Sequence, residues 1–251
     1  MAPRLQNVTL DRIPSVSYLY QATVPIPPPL RNLRPWTASP VAANPNAAFN
    51  EKIGLINADV TSMTIDAIVN AANVRLAGGG GIDGAIHYHA GHELHQACVA
   101  MPTDKDGARC RTGEAKITDG FELPCKKIIH TPGPIWYDIA DKTRAAALLR
   151  SCYRSSLDLA VQNGCRSIVF PPISTNIYGY PRAEAADVAL GAVRGWLEEK
   201  GPDVPIDAIV FTNVDMPDMT AYLHFIPKYF PHTSPLAEDD EAPEAPAEKK
   251  H

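Results

Sequence analysis

The stretch NAANVRLAGGGGIDGAIH, Asn70 to His87, poses the first question. It holds four consecutive glycines, Gly78 to Gly81, followed by Ile82 and Asp83. Each glycine inside regular structure costs roughly 0.5–1 kcal/mol relative to alanine. A chain that places four in a row needs bare backbone there. The apolar run just before, Ala67–Ala71, is short enough for a buried strand, and the pattern from Ile82 to about Gln96 is helical. Strand, glycine turn and helix start then follow one another. The first N–H groups of a helix have no intrahelical partner and lie at the positive end of its dipole, so this turn is an anion site. The phosphate of a nucleotide is the obvious guest. The run matches neither G-x-x-x-x-G-K-[ST] nor G-x-G-x-x-G, and no lysine follows it, which argues against a magnesium nucleoside triphosphatase.

The pattern on either side alternates in the same way. Strands are expected over Lys52–Asn57, Glu114–Thr118, Lys127–Thr131, Ser167–Phe170 and Asp207–Thr212. Helices are expected over Asp141–Asn163, Pro181–Lys200 and about Asp215 to Tyr229, with Asn163-Gly164 and Gly201-Pro202 as stops. Strands alternating with helices imply an α/β domain around a mostly parallel sheet covered on both faces. Ligands of such sheets sit on the loops after the strands' carboxyl ends. A second loop there is PPISTNIYGYP, Pro171 to Pro181. Ser174, Thr175, Asn176 and Gly179 offer small polar groups and backbone, and Tyr178 and Tyr180 offer flat faces for a sugar or base. The two loops together are suited to gripping a diphosphate from both sides.

The 251 residues are 45% hydrophobic and 20% charged, which allows one substantial core plus extensions. Prolines crowd residues 22–48 and exclude regular helix or central strand over that stretch. Before it, Asp11 to Gln21 fits a short helix with Pro14 in its first turn, packed on the domain. From Pro231 the chain mixes Pro, Ala, Glu and Asp and is expected to be disordered. The division is therefore an N-terminal extension over 1–50, a domain over 51–230 and an acidic tail over 231–251.

A formal net charge of −5 with no Lys/Arg cluster argues against a nucleic-acid partner, and no apolar stretch reaches membrane-spanning length. Five widely spaced cysteines, Cys98, Cys110, Cys125, Cys152 and Cys165, form no C-x-x-C pair and suit reduced thiols in an intracellular protein, cytoplasmic or nuclear, with a mitochondrial location left open. A monomer is expected.

Asp83 has two readings. It is a first-turn acid that favours the helix dipole, or a general base that activates a water beside a bound sugar. Asn70 and Asn73 likewise serve turn chemistry or bond ribose hydroxyls. His87, His89, His92 and His95 follow on one helix region, where partly exposed histidines are the simpler expectation than a metal site; no metal and no cofactor are expected.

Three stretches carry a resemblance. NADVTSMTIDAIVNAANVRLAGGGGIDGAIH, RTGEAKITDGFELPCKKIIHTPGPIW and ISTNIYGYP resemble a macrodomain of the MacroD type, in order and at family spacing from about Ile53 to Phe225. The N-terminal IPSVSYLY also resembles the extension of fungal members. The resemblance implies a three-layer α/β/α fold with a mixed, mostly parallel central sheet that binds ADP-ribose. By motif position, Asp59 and its neighbour Val60 match the adenine end, with Asp59 accepting from the adenine amino group. Asn70 and Asn73 match the family's N-A-A-N pair, with Asn73 reaching the distal ribose. Gly80, Gly81 and Ile82 match the first diphosphate loop, and Asp83 the acid that activates water. Ser174, Thr175, Asn176, Ile177, Tyr178 and Gly179 match the second diphosphate loop, with Tyr178 over the distal ribose. Phe211 falls where an aromatic packs on the adenine. Position 58 is Ala, and position 176 is Asn, where the family carries Gly; Asn tolerates the left-handed conformation that keeps such a loop in shape.

The implied activity is removal of single ADP-ribose groups from acidic side chains of proteins and hydrolysis of O-acetyl-ADP-ribose. Mono-ADP-ribosylated proteins are then the partners. Two other readings use the same loops: a non-catalytic ADP-ribose reader, and a slow phosphatase on ADP-ribose 1″-phosphate.

Overall fold

The computed structural model describes residues 7–21, 43–213 and 215–233. Its centre is a six-stranded sheet built from β2 (Ile53–Asn57), β4 (Ala67–Ala72), β5 (Lys116–Asp119), β6 (Lys127–Pro132), β7 (Ser167–Phe170) and β8 (Ala208–Asn213), in the order β2-β8-β7-β4-β6-β5. All neighbours are parallel except the edge pair β5–β6. The remaining strands, β1 (Val8–Thr9) and β3 (Met63–Thr64), pair with each other in parallel. The sheet is thus mixed and mostly parallel, with helices on both faces.

Alternation along the strands feeds two cores. Ala67, Val69, Ile129, Ile168, Phe170, Ile209 and Phe211 face the layer formed by α5 (Lys142–Gln162), α6 (Arg182–Lys200) and α7 (Met216–Tyr229). Ile68, Ala72, Ile128, Val169 and Val210 face the other layer, which holds α3 (Gly81–Ala90) and α4 (His92–Val99). α5 keeps Ala145, Leu149, Cys152, Tyr153, Leu157 and Ala160 buried at helical spacing, with Asp141 capping its start and Asn163 its end. Leu148 and Leu159 are half-buried at the margin of that face.

Most element ends agree with the sequence reading to within a residue, and four readings differ by more. The helix expected from Ile82 to about Gln96 is broken at Gly91, whose φ of +83° leaves the helical region and separates α3 from α4. The strand expected from Glu114 begins at Lys116, because Glu114 is held in a turn: its N–H donates to Arg111 O at 3.0 Å and its Oε2 accepts from Arg111 N at 3.1 Å. Pro14 does not start a helix. Ser15 is spent on an antiparallel bridge to Gly54, so a 3-10 turn over Leu10–Arg12 and the helix α1 (Val16–Gln21) flank an extended joint. Within 22–48, residues 22–42 lie outside the described residues, and Ala47 and Ala48 already belong to α2 (Ala47–Lys52), capped by Asn46 Oδ1 accepting from Phe49 N at 3.1 Å.

The division at 50/51 therefore falls inside α2. The N-terminal segment docks on the domain through fully buried Val16 and through Tyr20, whose hydroxyl donates to Phe230 O at 2.7 Å. Arg194 is nearly buried and gives its guanidinium to Asn44 O at 2.7 Å and Tyr229 O at 2.8 Å, tying this segment to α7. Of the expected acidic tail, residues beyond 233 lie outside the described residues.

Candidate active site

The carboxyl end of β4 leads through the glycine run into α3. Gly80 is the N-cap of α3 in extended conformation and supplies no side chain to it, so the first-turn N–H groups are left for a ligand. Gly78 and Gly81 hold φ of +77° and +61°, the left-handed region that other residues rarely enter. Gly84 has a different reason to be glycine. A Cβ there would stand 2.5 Å from Gly79 O, so the glycine run lies directly against the first turn of its own helix.

Asp83 is buried in that first turn, 4% exposed. Its Oδ1 accepts from Asn70 Nδ2 at 2.7 Å and its Oδ2 from Asn73 Nδ2 at 3.2 Å. Asn73 Nδ2 also donates to Gly78 O at 2.8 Å, which ties the acid to the glycine run. His87 Nε2 lies 3.6 Å from Asp83 Oδ1, one turn along α3. Burial raises the Asp83 carboxyl above its ordinary range, while the Asn70 hydrogen bond, the His87 charge and the Asn73 hydrogen bond pull the other way. Burial lowers His87, with Asp83 opposing and His95 adding to the shift. Asp83 is thus a stronger base than an exposed aspartate, held by two amides.

The second loop closes the opposite wall. Ser174 has φ +70° and accepts through its carbonyl from Tyr180 N at 2.9 Å; Asn176 O accepts from Gly179 N at 3.0 Å. The left-handed residue that shapes this loop is therefore Ser174, with Gly179 at φ +67°, and not Asn176, as the sequence suggested. The chain after β6 backs the loop. Gly133 permits contact, since a Cβ there would come within 2.1 Å of Ser174 Oγ. Trp136 N donates to Tyr178 O at 2.9 Å, and the Trp136 and Tyr180 rings are 4.5 Å apart. Tyr137 covers Gly179, where a Cβ would meet its ring at 2.1 Å.

Between the walls is a cavity of about 230 Å³. Asn73, Gly80, Gly81, Ile82, Asp83, Ser174, Thr175, Asn176, Ile177 and Tyr178 all line it. Ser174 Oγ and Thr175 Oγ1 are buried beside it without a hydrogen-bond partner. Asn70 is fully buried behind the cavity and acts on it through Asp83. Gly179 shapes the loop from outside the lining. Asp59 and Val60 lie apart from this cavity, after β2, where Asp59 Oδ1 accepts from Thr61 N and Oγ1 at 2.8 Å each.

Phe211 is corrected by the structure. It is fully buried on the α5–α7 face of the sheet, 4.8 Å from the Tyr222 ring and 6.2 Å from Phe170. Alternation along β8 turns it into the core, so it has no surface to give an adenine. Two residues near the acid were not read as site residues from the sequence, His87 and His130. The i,i+4 spacing of Asp83 and His87 was a usable signal; nothing local could bring His130 there. Among the described residues no group of three His, Cys, Asp or Glu side chains could hold a metal ion.

Fold and site together define a class. Residues 69–189 match the Macro domain family, and relatives extend the similarity well beyond that span, so the chain belongs to the macro domain family. It is 48% identical over 174 residues to a macro domain-containing protein of Chlorobaculum tepidum, covering 69% of this chain and 94% of that one. It is 46% identical over 183 residues to the ADP-ribose glycohydrolase MACROD1 of Rattus norvegicus, covering 73% of this chain and 67% of that one. Among solved structures, the Trypanosoma brucei macrodomain in complex with ADP superimposes with a TM-score of 0.67 at 34% identity, covering 87% of this chain and 76% of that one.

Proposed function

We propose that this protein is an ADP-ribose-directed hydrolase that removes single ADP-ribose groups from acidic side chains of proteins and deacetylates O-acetyl-ADP-ribose. The observation that carries the reading is the buried Asp83 carboxylate, held by Asn70 and Asn73 between the glycine run and the Ser174–Tyr178 wall. The similarity to a named ADP-ribose glycohydrolase and to a macrodomain solved with ADP supports the substrate class. The cavity of about 230 Å³ falls below the roughly 300–1,000 Å³ of small-molecule pockets, so it suits the diphosphate and distal ribose, with the adenosine resting outside toward Asp59.

In this reading the α3 N-terminus and the Ser174 and Thr175 hydroxyls hold the diphosphate. Tyr178 packs on the distal ribose. Asp83 takes a proton from a water whose oxygen bonds to C1″, or to the ester carbonyl of the acetylated sugar. The C–O bond to the leaving group breaks and its electron pair stays on the leaving oxygen: the protein carboxylate departs as the anion, or the sugar oxygen takes the proton back from Asp83 and departs as the hydroxyl. Most of the rate comes from orientation. The partners are mono-ADP-ribosylated proteins, met by a monomer in an intracellular compartment; five free, buried cysteines fit reducing surroundings.

The test is incubation with a protein mono-ADP-ribosylated on glutamate, following loss of label, with ADP-ribose binding measured by calorimetry. Loss of label is expected. Binding without loss would leave a reader module, a reading that Asn176 in the cavity wall favours, and Asn176→Gly would be the next variant.

A further inference from the structure

Asn70 and His130 are directly opposed on adjacent parallel strands, β4 and β6, and both are fully buried on the α3 face. Asn70 Nδ2 lies 2.7 Å from Asp83 Oδ1 and 3.1 Å from His130 Nδ1. The amide nitrogen has two hydrogens and no lone pair to offer. One hydrogen goes to the carboxylate, so the other goes to His130 Nδ1, which must be an acceptor. The ring proton then sits on Nε2, 3.0 Å from Thr118 Oγ1 on β5 and 3.8 Å from Cys98 Sγ on α4. An amide rotated the other way would set its oxygen against the Asp83 carboxylate.

We propose that His130 is a positioning residue. Held as the neutral Nε2–H tautomer by Thr118, it fixes the Asn70 amide so that its N–H points at Asp83 and keeps the acid an ionised base. The role rests on the hydrolase reading above only for its consequence for turnover. Burial, reinforced by the His87 charge, drops the His130 pKa to about 3, which keeps the ring neutral at working pH. Other groups also face this centre. His87 faces Asp83 from its own helix, Cys98 from α4 and Tyr178 from the second loop; His95 faces His87. Asn70 Oδ1 has no hydrogen-bond partner. Nothing on that side competes for the amide, so its orientation is decided by His130 and Asp83.

The test begins on the intact wild-type chain with nitrogen NMR of the histidine rings, which needs no turnover. His130 is expected to show the neutral Nε2–H form throughout about pH 5 to 8. A protonated ring or the Nδ1–H form would overturn the proposal. His130→Leu removes the acceptor; His130→Asn returns an acceptor oxygen at the δ position. In His130→Leu the carboxyl titration of Asp83, followed by carbon NMR, should move up by about half a unit or more, because a hydrogen bond to the charged form is lost. The acid limb of turnover should move with it, while ADP-ribose affinity stays within about threefold. His130→Asn should restore the wild-type midpoint. Equal loss in both variants, or an unmoved Asp83 midpoint, would make His130 a core residue only. If His130→Leu does not fold, the ring tautomer decides, and a shifted Asp83 midpoint in His130→Asn would also overturn the proposal. Wild-type protein that binds ADP-ribose and releases no label would sink the hydrolase reading, and an Asp83→Asn variant that keeps turnover would refute Asp83 as the base; either result leaves the tautomer and titration to judge His130.

Discussion

Gly79 and Gly84 touch backbone to backbone: the Gly79 carbonyl oxygen stands 2.5 Å from where a Gly84 Cβ would be. This contact folds the glycine run onto the first turn of α3 and sets the position of Asp83 between them. A methyl group at 84 has nowhere to go, because its neighbour is backbone. Gly84→Ala should therefore weaken ADP-ribose binding by about tenfold or more in calorimetry. Gly195 in α6, with nothing within 4 Å of its Cβ position, is the control. Gly195→Ala should leave affinity unchanged and raise stability by about 0.5–1 kcal/mol, since alanine is the better helix former.

Asp83 separates chemistry from binding. The phosphate-facing groups of both loops remain in Asp83→Ala, so ADP-ribose should bind within a few-fold of wild type while label release stops. Turnover that persisted in this variant would refute the assignment of Asp83 as the base.

Phe211 distinguishes an adenine platform from a core residue. It packs among Tyr222, Phe170 and Tyr153, away from solvent. Phe211→Leu should lower stability by about 1–3 kcal/mol in denaturant unfolding. Affinity for ADP-ribose should stay within about threefold, a fraction of a kcal/mol.

Asp218 should make stability pH-dependent. It lies buried at the start of α7, where Arg182 Nε donates to its Oδ1 at 3.0 Å. Burial and the nearby Asp215 charge raise its pKa from the ordinary 3.8 to about 6, and Arg182 offsets only part of this. The folded chain then holds this proton more tightly than the unfolded chain does. Stability from this group is full below the unfolded value and declines as pH rises through the interval from 3.8 to about 6. In Asp218→Asn that decline should vanish from thermal melts taken across the interval; an unchanged slope would assign it to other groups.

Much of the fold was legible in the sequence because its signals are local. The strand at Ser167–Phe170 and the long helices α5 and α6 followed from apolar spacing with caps and glycine or proline stops, and they agree with the structure to within a residue. The misplacements arose from one distant contact and from local turns that the apolar pattern does not show. Ser15 bridges Gly54 across the chain, so Pro14 lies in an extended joint. Glu114 is bound back to Arg111, so β5 starts later.

The sequence by itself determined the alternating α/β order, the two loops that meet at one sheet edge, and the acid that follows the glycines. Those are properties of spacing and residue type. Only the tertiary structure decided what each side chain faces. Alternation along β8 turned Phe211 into the core, and the register of β4 against β6 set His130 beside Asn70. The fold back of Gly79 onto Gly84 carried Asp83 to Asn73. Asn70 and His130 are sixty positions apart, and no local pattern encodes a hydrogen bond between them. It exists because parallel strands must pair through their backbones, and that pairing fixes which side chains become neighbours.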